Sequence, residues 1–187
     1  MHRVETGGEP YQEMLDLVCN AVEASFARQE ARSALLPPAL DPRTHRNYIE
    51  RVLRADAKNY ISATEFVDSH SYFFLHKPEP VEELDTPSPK IQLVRDELLQ
   101  ALRPLSEEPS SQWDHDSLAS ATDTAIKAMI SSATVTIKKK EVWKVLRAML
   151  TGGQKGPSLI ESMEILGPEV VMERIQFFDD VTLSPAS

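Results

Sequence analysis

Apolar residues recur along this chain at spacings of three and four, the pattern of helices that each bury one face. Between Tyr11 and Leu35 the stripe is Met14, Leu17, Val18, Ala21, Val22 and Phe26, and Pro37 with Pro38 breaks it. A second helix starts at Asp41 and Pro42 and puts Tyr48, Ile49, Val52, Leu53, Tyr60 and Ile61 on one side. Ser62 and Glu65 form a capping box before a short helix around Phe66, and Tyr72, Phe73, Phe74 and Leu75 follow as an apolar plug. Ser88 and Pro89 open a helix that buries Ile91, Val94, Leu98 and Leu102 and is expected to end near Arg103 and Pro104. Ser106 to Asp116 reads as a polar surface loop pinned by Trp113. From Ser117 a helix with Leu118, Ala121, Ala125, Met129 and Ile130 leads through an extended connector, Thr134 to Ile137, into a lysine run.

Signals for helix starts and stops are densest between Lys138 and Arg174. Val142, Val145, Leu146, Met149 and Leu150 mark a buried face, with Thr136 expected to cap the start. Trp143 and Arg147, four residues apart, are expected to stack at the rim of the core. Gly152 and Gly153 end the helix, because glycine takes the left-handed conformation a C-terminal cap requires. Ser158 with Glu161 starts the next helix, Gly167 stops it, and Pro168 opens a third. Phe177 and Phe178 are expected to fold back on the core.

The predicted class is all-α, a helical bundle or cage of seven to eight helices. No alternation of strand and helix supports a dinucleotide fold. A proline-rich acidic stretch divides the chain into an N-terminal helical subdomain (1–76), a linker (77–89) and a C-terminal helical subdomain (90–187).

Composition removes several function classes. No run approaches the apolar length of a membrane span. The single Cys19 permits no intramolecular disulfide and reads as a core residue. The five histidines have neither i, i+4 pairing nor cysteine companions, which argues against zinc. His115 between Asp114 and Asp116 lacks a nucleophile or metal partner, so a helix cap is the simpler role. GGQKGPS is glycine-rich but lacks the ending and the preceding strand of a nucleotide phosphate cradle.

Charge adds a feature. Lys138, Lys139, Lys140, Lys144, Arg147 and Lys155 face a single acid, Glu141, within one window of a chain whose net charge is −9. A basic island on an acidic body orients a polyanion toward one patch. Arg43, Arg46, Arg51, Arg54 and Lys58 form a second basic face, read first as a solvated one.

At this window the chain resembles a known family. LRAMLTGGQKGPSLIESMEILGPEVVMERI is similar to the C-terminal motif of bacterial and organellar glutamyl-tRNA synthetases, within their α-helical anticodon-binding domain. Its parts stand in order: a leucine-arginine pair, a threonine-glycine turn, a variable loop, a glycine-proline step, a helix ending in leucine-glycine, and a helix closing in glutamate-arginine. Ser71-Tyr72-Phe73-Phe74 is a fainter echo, and Met149 departs from the alanine usual in the motif.

The resemblance implies contact with anticodon bases by Arg147, Gly156, Pro157, Leu159 and Ile160, with Lys138, Lys139, Lys140, Lys144 and Lys155 on phosphates. A guanidinium pairs well with a base edge, and apolar side chains suit unstacked bases. The implied partner is the anticodon stem-loop of tRNA(Glu), together with a separate catalytic domain. The family's two ATP-site motifs, His-Ile-Gly-His-like and Lys-Met-Ser-Lys-Ser-like, are absent from this sequence, so no cofactor is expected in this chain and ATP belongs to the catalytic domain. The family also implies a mitochondrial matrix or otherwise cytoplasmic location. Glu5, Glu9, Glu13 and Asp16 do not fit a targeting peptide. The competing class is a helical protein-interaction module that has lost RNA binding, a reading favoured by the acidic body.

Overall fold

The computed structural model describes residues 9–27, 45–56, 62–78, 88–107, 113–132 and 135–178. Among these the chain forms eight α-helices, one 3₁₀ turn and no strand. It divides into two compact units, 1–78 with 155–157, and 79–154 with 158–187.

In the first unit α1 (Glu9–Ala27) packs on α2 (His45–Ala55) and α3 (Ala63–Ser69). The face that α1 buries is Tyr11, Leu15, Val18 and Val22, while Leu17 is 57% exposed. The expected stripe was thus rotated toward the wrong side. Val18 and Val22 are shared by both stripes, and partner helices, not spacing, chose between their neighbours. The side chain of Phe26, the segment from residue 28 to Pro42, Arg43, Lys58, Tyr60 and Ile61 lie outside the described residues. Tyr48, Ile49, Val52 and Leu53 are buried together on α2.

Ser62 caps α3, its hydroxyl accepting from the Glu65 N–H at 3.2 Å. The 3₁₀ turn Ser71–Phe73 then folds the aromatic plug inward. Tyr72, Phe73 and Phe74 are fully buried, Tyr48 Oη donates to the Phe73 carbonyl at 2.6 Å, and the Tyr48 and Phe74 rings meet edge to face. His70 lies in the same core with its ring against Phe66. Its Nε2 is 2.8 Å from Asp56 Oδ2 and its Nδ1 donates to the Phe66 carbonyl at 2.9 Å. Cys19 is half-buried, and burial pushes its thiol up from the ordinary value.

In the second unit α4 (Pro89–Glu107) packs on α5 (His115–Ser131), α6 (Lys139–Thr151) and α8 (Pro168–Gln176), with α7 (Leu159–Leu166) against α5, α6 and α8. Ile91, Val94, Leu98 and Leu102 form the buried face of α4. The helix does not stop at Pro104 as expected but runs to Glu107. Proline removes one N–H, and at an exposed position in the final turn the carbonyl left open faces water. Ser106 Oγ, donating to the Arg103 carbonyl at 2.8 Å, holds that turn.

The expected polar loop is accordingly shorter at both ends. Trp113 is buried and its Nε1 donates to the Met163 carbonyl at 2.9 Å. Asp114 caps α5 by accepting from the Ser117 N–H at 2.9 Å, and that bond holds its carboxyl below the usual carboxylate range. Phe177 is 41% exposed, so it does not fold back as expected.

Candidate nucleic-acid interface

Helix α6 carries the basic island, and its start is set by charge. Lys138 is the N-cap residue, with its N–H donating to Glu141 Oε2 at 2.8 Å, while Lys90 Nζ donates to Glu141 Oε1 at 2.5 Å. Glu141 in the first turn supplies what Thr136 was expected to supply, because a carboxylate there meets both an open N–H and the positive helix end. The Lys90 bond is the main reason the Glu141 carboxyl sits below its ordinary range.

Val142, Val145, Leu146, Met149 and Leu150 are buried. Lys140, Lys144 and Arg147 fall at i, i+4 and i+7 on the opposite side, so they form one ridge. Lys138, Lys139, Lys140, Lys144 and Lys155 are all exposed. They are not equivalent. Lys139 Nζ reaches Asp123 Oδ1 at 3.8 Å, and the same carboxylate takes Lys127 Nζ at 2.7 Å. Asp123 is held below the ordinary carboxylate range, first by the Lys127 hydrogen bond.

Arg147 is half-buried where the ridge meets the following turn. Its Nη1 donates to the Gln154 carbonyl at 3.2 Å, an oxygen that also lies 3.1 Å from Thr151 Oγ1. Thr151 Oγ1 is 2.9 Å from the Arg147 carbonyl as well, so the single proton of one buried hydroxyl is within reach of a carbonyl at either end of the turn. Gly152 and Gly153 make the reversal with φ of 66° and 91°, which only glycine adopts at little cost. The stack expected between Trp143 and Arg147 does not form. The guanidinium is drawn toward the turn, and its Nε and Nη2 have no protein partner among the described residues.

After the turn, Lys155 is exposed, Gly156 half-buried and Pro157 buried. Ser158 and Glu161 form the capping box of α7, with Glu161 N–H donating to Ser158 Oγ at 3.2 Å and Ser158 N–H to Glu161 Oε2 at 3.3 Å. Leu159 is only 5% exposed, in the core with Met163 and Leu166, while Ile160 is half-buried. The side chains of Pro157 and Leu159 are therefore buried and are not open platforms. Sequence reasoning missed Thr151 and Gln154 as the seat of Arg147. A threonine before two glycines at a helix end was the available signal.

On the second basic face, Arg46 and Arg54 among the described residues are engaged within the protein. Arg46 pairs with Asp16 and donates to Gln12 Oε1 at 2.9 Å. Arg54 donates to Glu50 at 2.7 Å and lies over the Tyr11 ring.

The motif that carries these residues is the one that resembles the anticodon-binding domain. The chain belongs to that family: the sequence model of the anticodon binding domain matches residues 26–178. It is similar to glutamate–tRNA ligase 1 of Fervidobacterium nodosum, 30% identical over 141 residues, covering 75% of this chain and 27% of that protein. It is also similar to glutamate–tRNA ligase of Chlorobium phaeovibrioides, 31% identical over 150 residues, covering 79% of this chain and 26% of that protein. The chain spans about a quarter of the length of these curated relatives. No helix among the described residues is long and apolar enough to cross a membrane.

Proposed function

We propose that this chain is the anticodon-binding module of a glutamyl-tRNA synthetase and contributes to recognition of tRNA(Glu). The observation that carries the reading is the Lys140–Lys144–Arg147 ridge, which ends in a guanidinium seated on the Gln154 carbonyl within the family-matched segment. Lysines on the ridge suit phosphates as point charges, and the forked guanidinium suits a base edge. Lys138 at the N-cap of the same helix, Ile160 in the first turn of α7 and, taken by itself, Lys155 are the further contacts of this reading. Lys139 contributes less, because Asp123 already engages it.

Adenylation of glutamate with ATP belongs, in this reading, to a catalytic domain acting with this one. The mitochondrial matrix is the compartment the family resemblance implies, and a fluorescent fusion of the full-length gene product reads it directly. The functional test is a gel-shift comparison of tRNA(Glu) and tRNA(Gln) transcripts at low and moderate salt. Tighter binding of tRNA(Glu) that weakens steeply with salt supports the proposal. Failure to bind either tRNA at low salt sinks it and favours a protein-interaction role.

A further inference from the structure

Gly156 lies against the hydroxyl of Tyr72, both residues belonging to the first unit. A methyl group built on its α-carbon would stand 2.3 Å from Tyr72 Oη and 3.4 Å from Cζ. Three other glycines of the C-terminal region, Gly152, Gly153 and Gly167, have the left-handed φ that favours glycine. Gly156 does not, so what excludes a side chain there is space and not backbone conformation.

The clash has no easy outlet on the tyrosine side. Tyr72 is fully buried, its ring packs on Phe73 with centroids 4.4 Å apart, and His70 lies behind at 6.4 Å. His70 is itself held by Asp56 and the Phe66 carbonyl. A rotamer change would have to open the aromatic plug. On the loop side Pro157 is buried, with its φ locked by the ring. An added methyl group must therefore displace the loop backbone.

We infer that Tyr72 is a positioning residue for the 155–157 loop: its hydroxyl sets where Lys155 and the Gly156 backbone are presented to tRNA. The inference rests on the anticodon-binding reading above and adds to it a residue outside the basic window. It also gives Tyr72, within the aromatic echo at 71–74, a physical task, which is to limit how closely the loop backbone approaches.

The test is a compensation experiment on the full chain with G156A, Y72F and the double variant, read by affinity for a tRNA(Glu) transcript and by thermal unfolding. G156A is expected to bind about tenfold more weakly, the cost of one misplaced methylene-sized group. Removing the oxygen in G156A/Y72F leaves the added methyl group in ordinary contact with the ring and brings affinity back to within about threefold of the parent protein. A contact that only stabilises the fold lowers the unfolding midpoint of G156A and leaves the affinity of the folded protein unchanged. The inference is overturned if G156A binds like the parent, or if the double variant stays as weak as G156A.

Should G156A fail to fold, a double variant that folds and binds supports the contact, and one that does not fold overturns it. Should the parent protein bind no tRNA, the functional reading fails separately. The contact is then judged by unfolding alone, where G156A lowers the midpoint and Y72F restores it, and equal midpoints overturn the contact.

Discussion

Arg174, near the end of α8, donates through Nη1 to the carbonyl of Leu150 at the end of α6. The last carbonyls of a helix have no partner of their own. Here Gly152 N–H donates to Ala148, Gly153 N–H to Arg147 and Gln154 N–H to Thr151, which leaves Leu150 to the guanidinium. Arg174 is only 5% exposed, so the charge is buried at the negative end of α6, where the helix dipole favours it. The glutamate-arginine close of the family motif has a structural role in this chain, since the arginine completes the helix that carries the basic ridge.

Replacing Arg174 with methionine keeps the stem and removes the cap. The expected loss of stability is about 2–4 kcal/mol, because the Leu150 carbonyl is left buried and unpaired. Urea unfolding followed by circular dichroism measures it, and an unchanged midpoint would show that the contact contributes nothing.

Arg147→Ala is expected to cost about 1–3 kcal/mol in binding to tRNA(Glu) and to narrow the gap to tRNA(Gln). Thr151→Val removes the hydroxyl that lies between the Arg147 and Gln154 carbonyls and donates to them. Its effect on tRNA affinity should vanish in the Arg147→Ala background, since it acts by seating the guanidinium. Fluorescence anisotropy on the four proteins gives the coupling, and simple additivity would show that the turn does not orient Arg147.

Salt dependence separates the lysines. Lys140→Ala should reduce the slope of log affinity against log salt by about one. Lys139→Ala should reduce it by less, because Asp123 partly neutralises Lys139 before tRNA arrives. Equal slopes for the two variants would show that the ridge makes no distinct phosphate contact at Lys140.

Acid should destabilise the second unit through three carboxylates. Asp114, Asp123 and Glu141 are each held below the ordinary range, chiefly by the Ser117 N–H, by Lys127 and by Lys90 respectively. A carboxylate with a lowered folded-state pKa stabilises the fold fully above its ordinary pKa. That stabilisation is lost as pH falls through the lowered value. Unfolding midpoints should therefore hold steady from neutral pH down to the ordinary carboxylate range and fall below it. Glu141→Gln should flatten part of that fall, and an identical pH profile would rule out Glu141 as a contributor.

Features that depend on residues close in sequence were legible in advance. The capping box at Ser158 and Glu161, the glycine stop at Gly152, the proline start at Pro168 and the buried face of α6 each follow from contacts within one or two turns. The basic window was legible for the same reason, as composition needs no fold. Which face α1 buries was not, because Leu15 and Leu17 have the same apolar side chain and only the packing of α2 and α3 separates them. Pro104 looked like a stop, but solvent at the end of α4 makes its missing N–H cheap. Pro157 and Leu159 carried a motif that pointed to bases, and the core claimed their side chains. Local chemistry determined the helices, their ends and the cationic window. Tertiary structure alone brought Arg174 to Leu150, Tyr72 to Gly156 and Lys90 to Glu141, because those meetings join residues 24, 84 and 51 positions apart, distances over which no pattern in the chain records a partner.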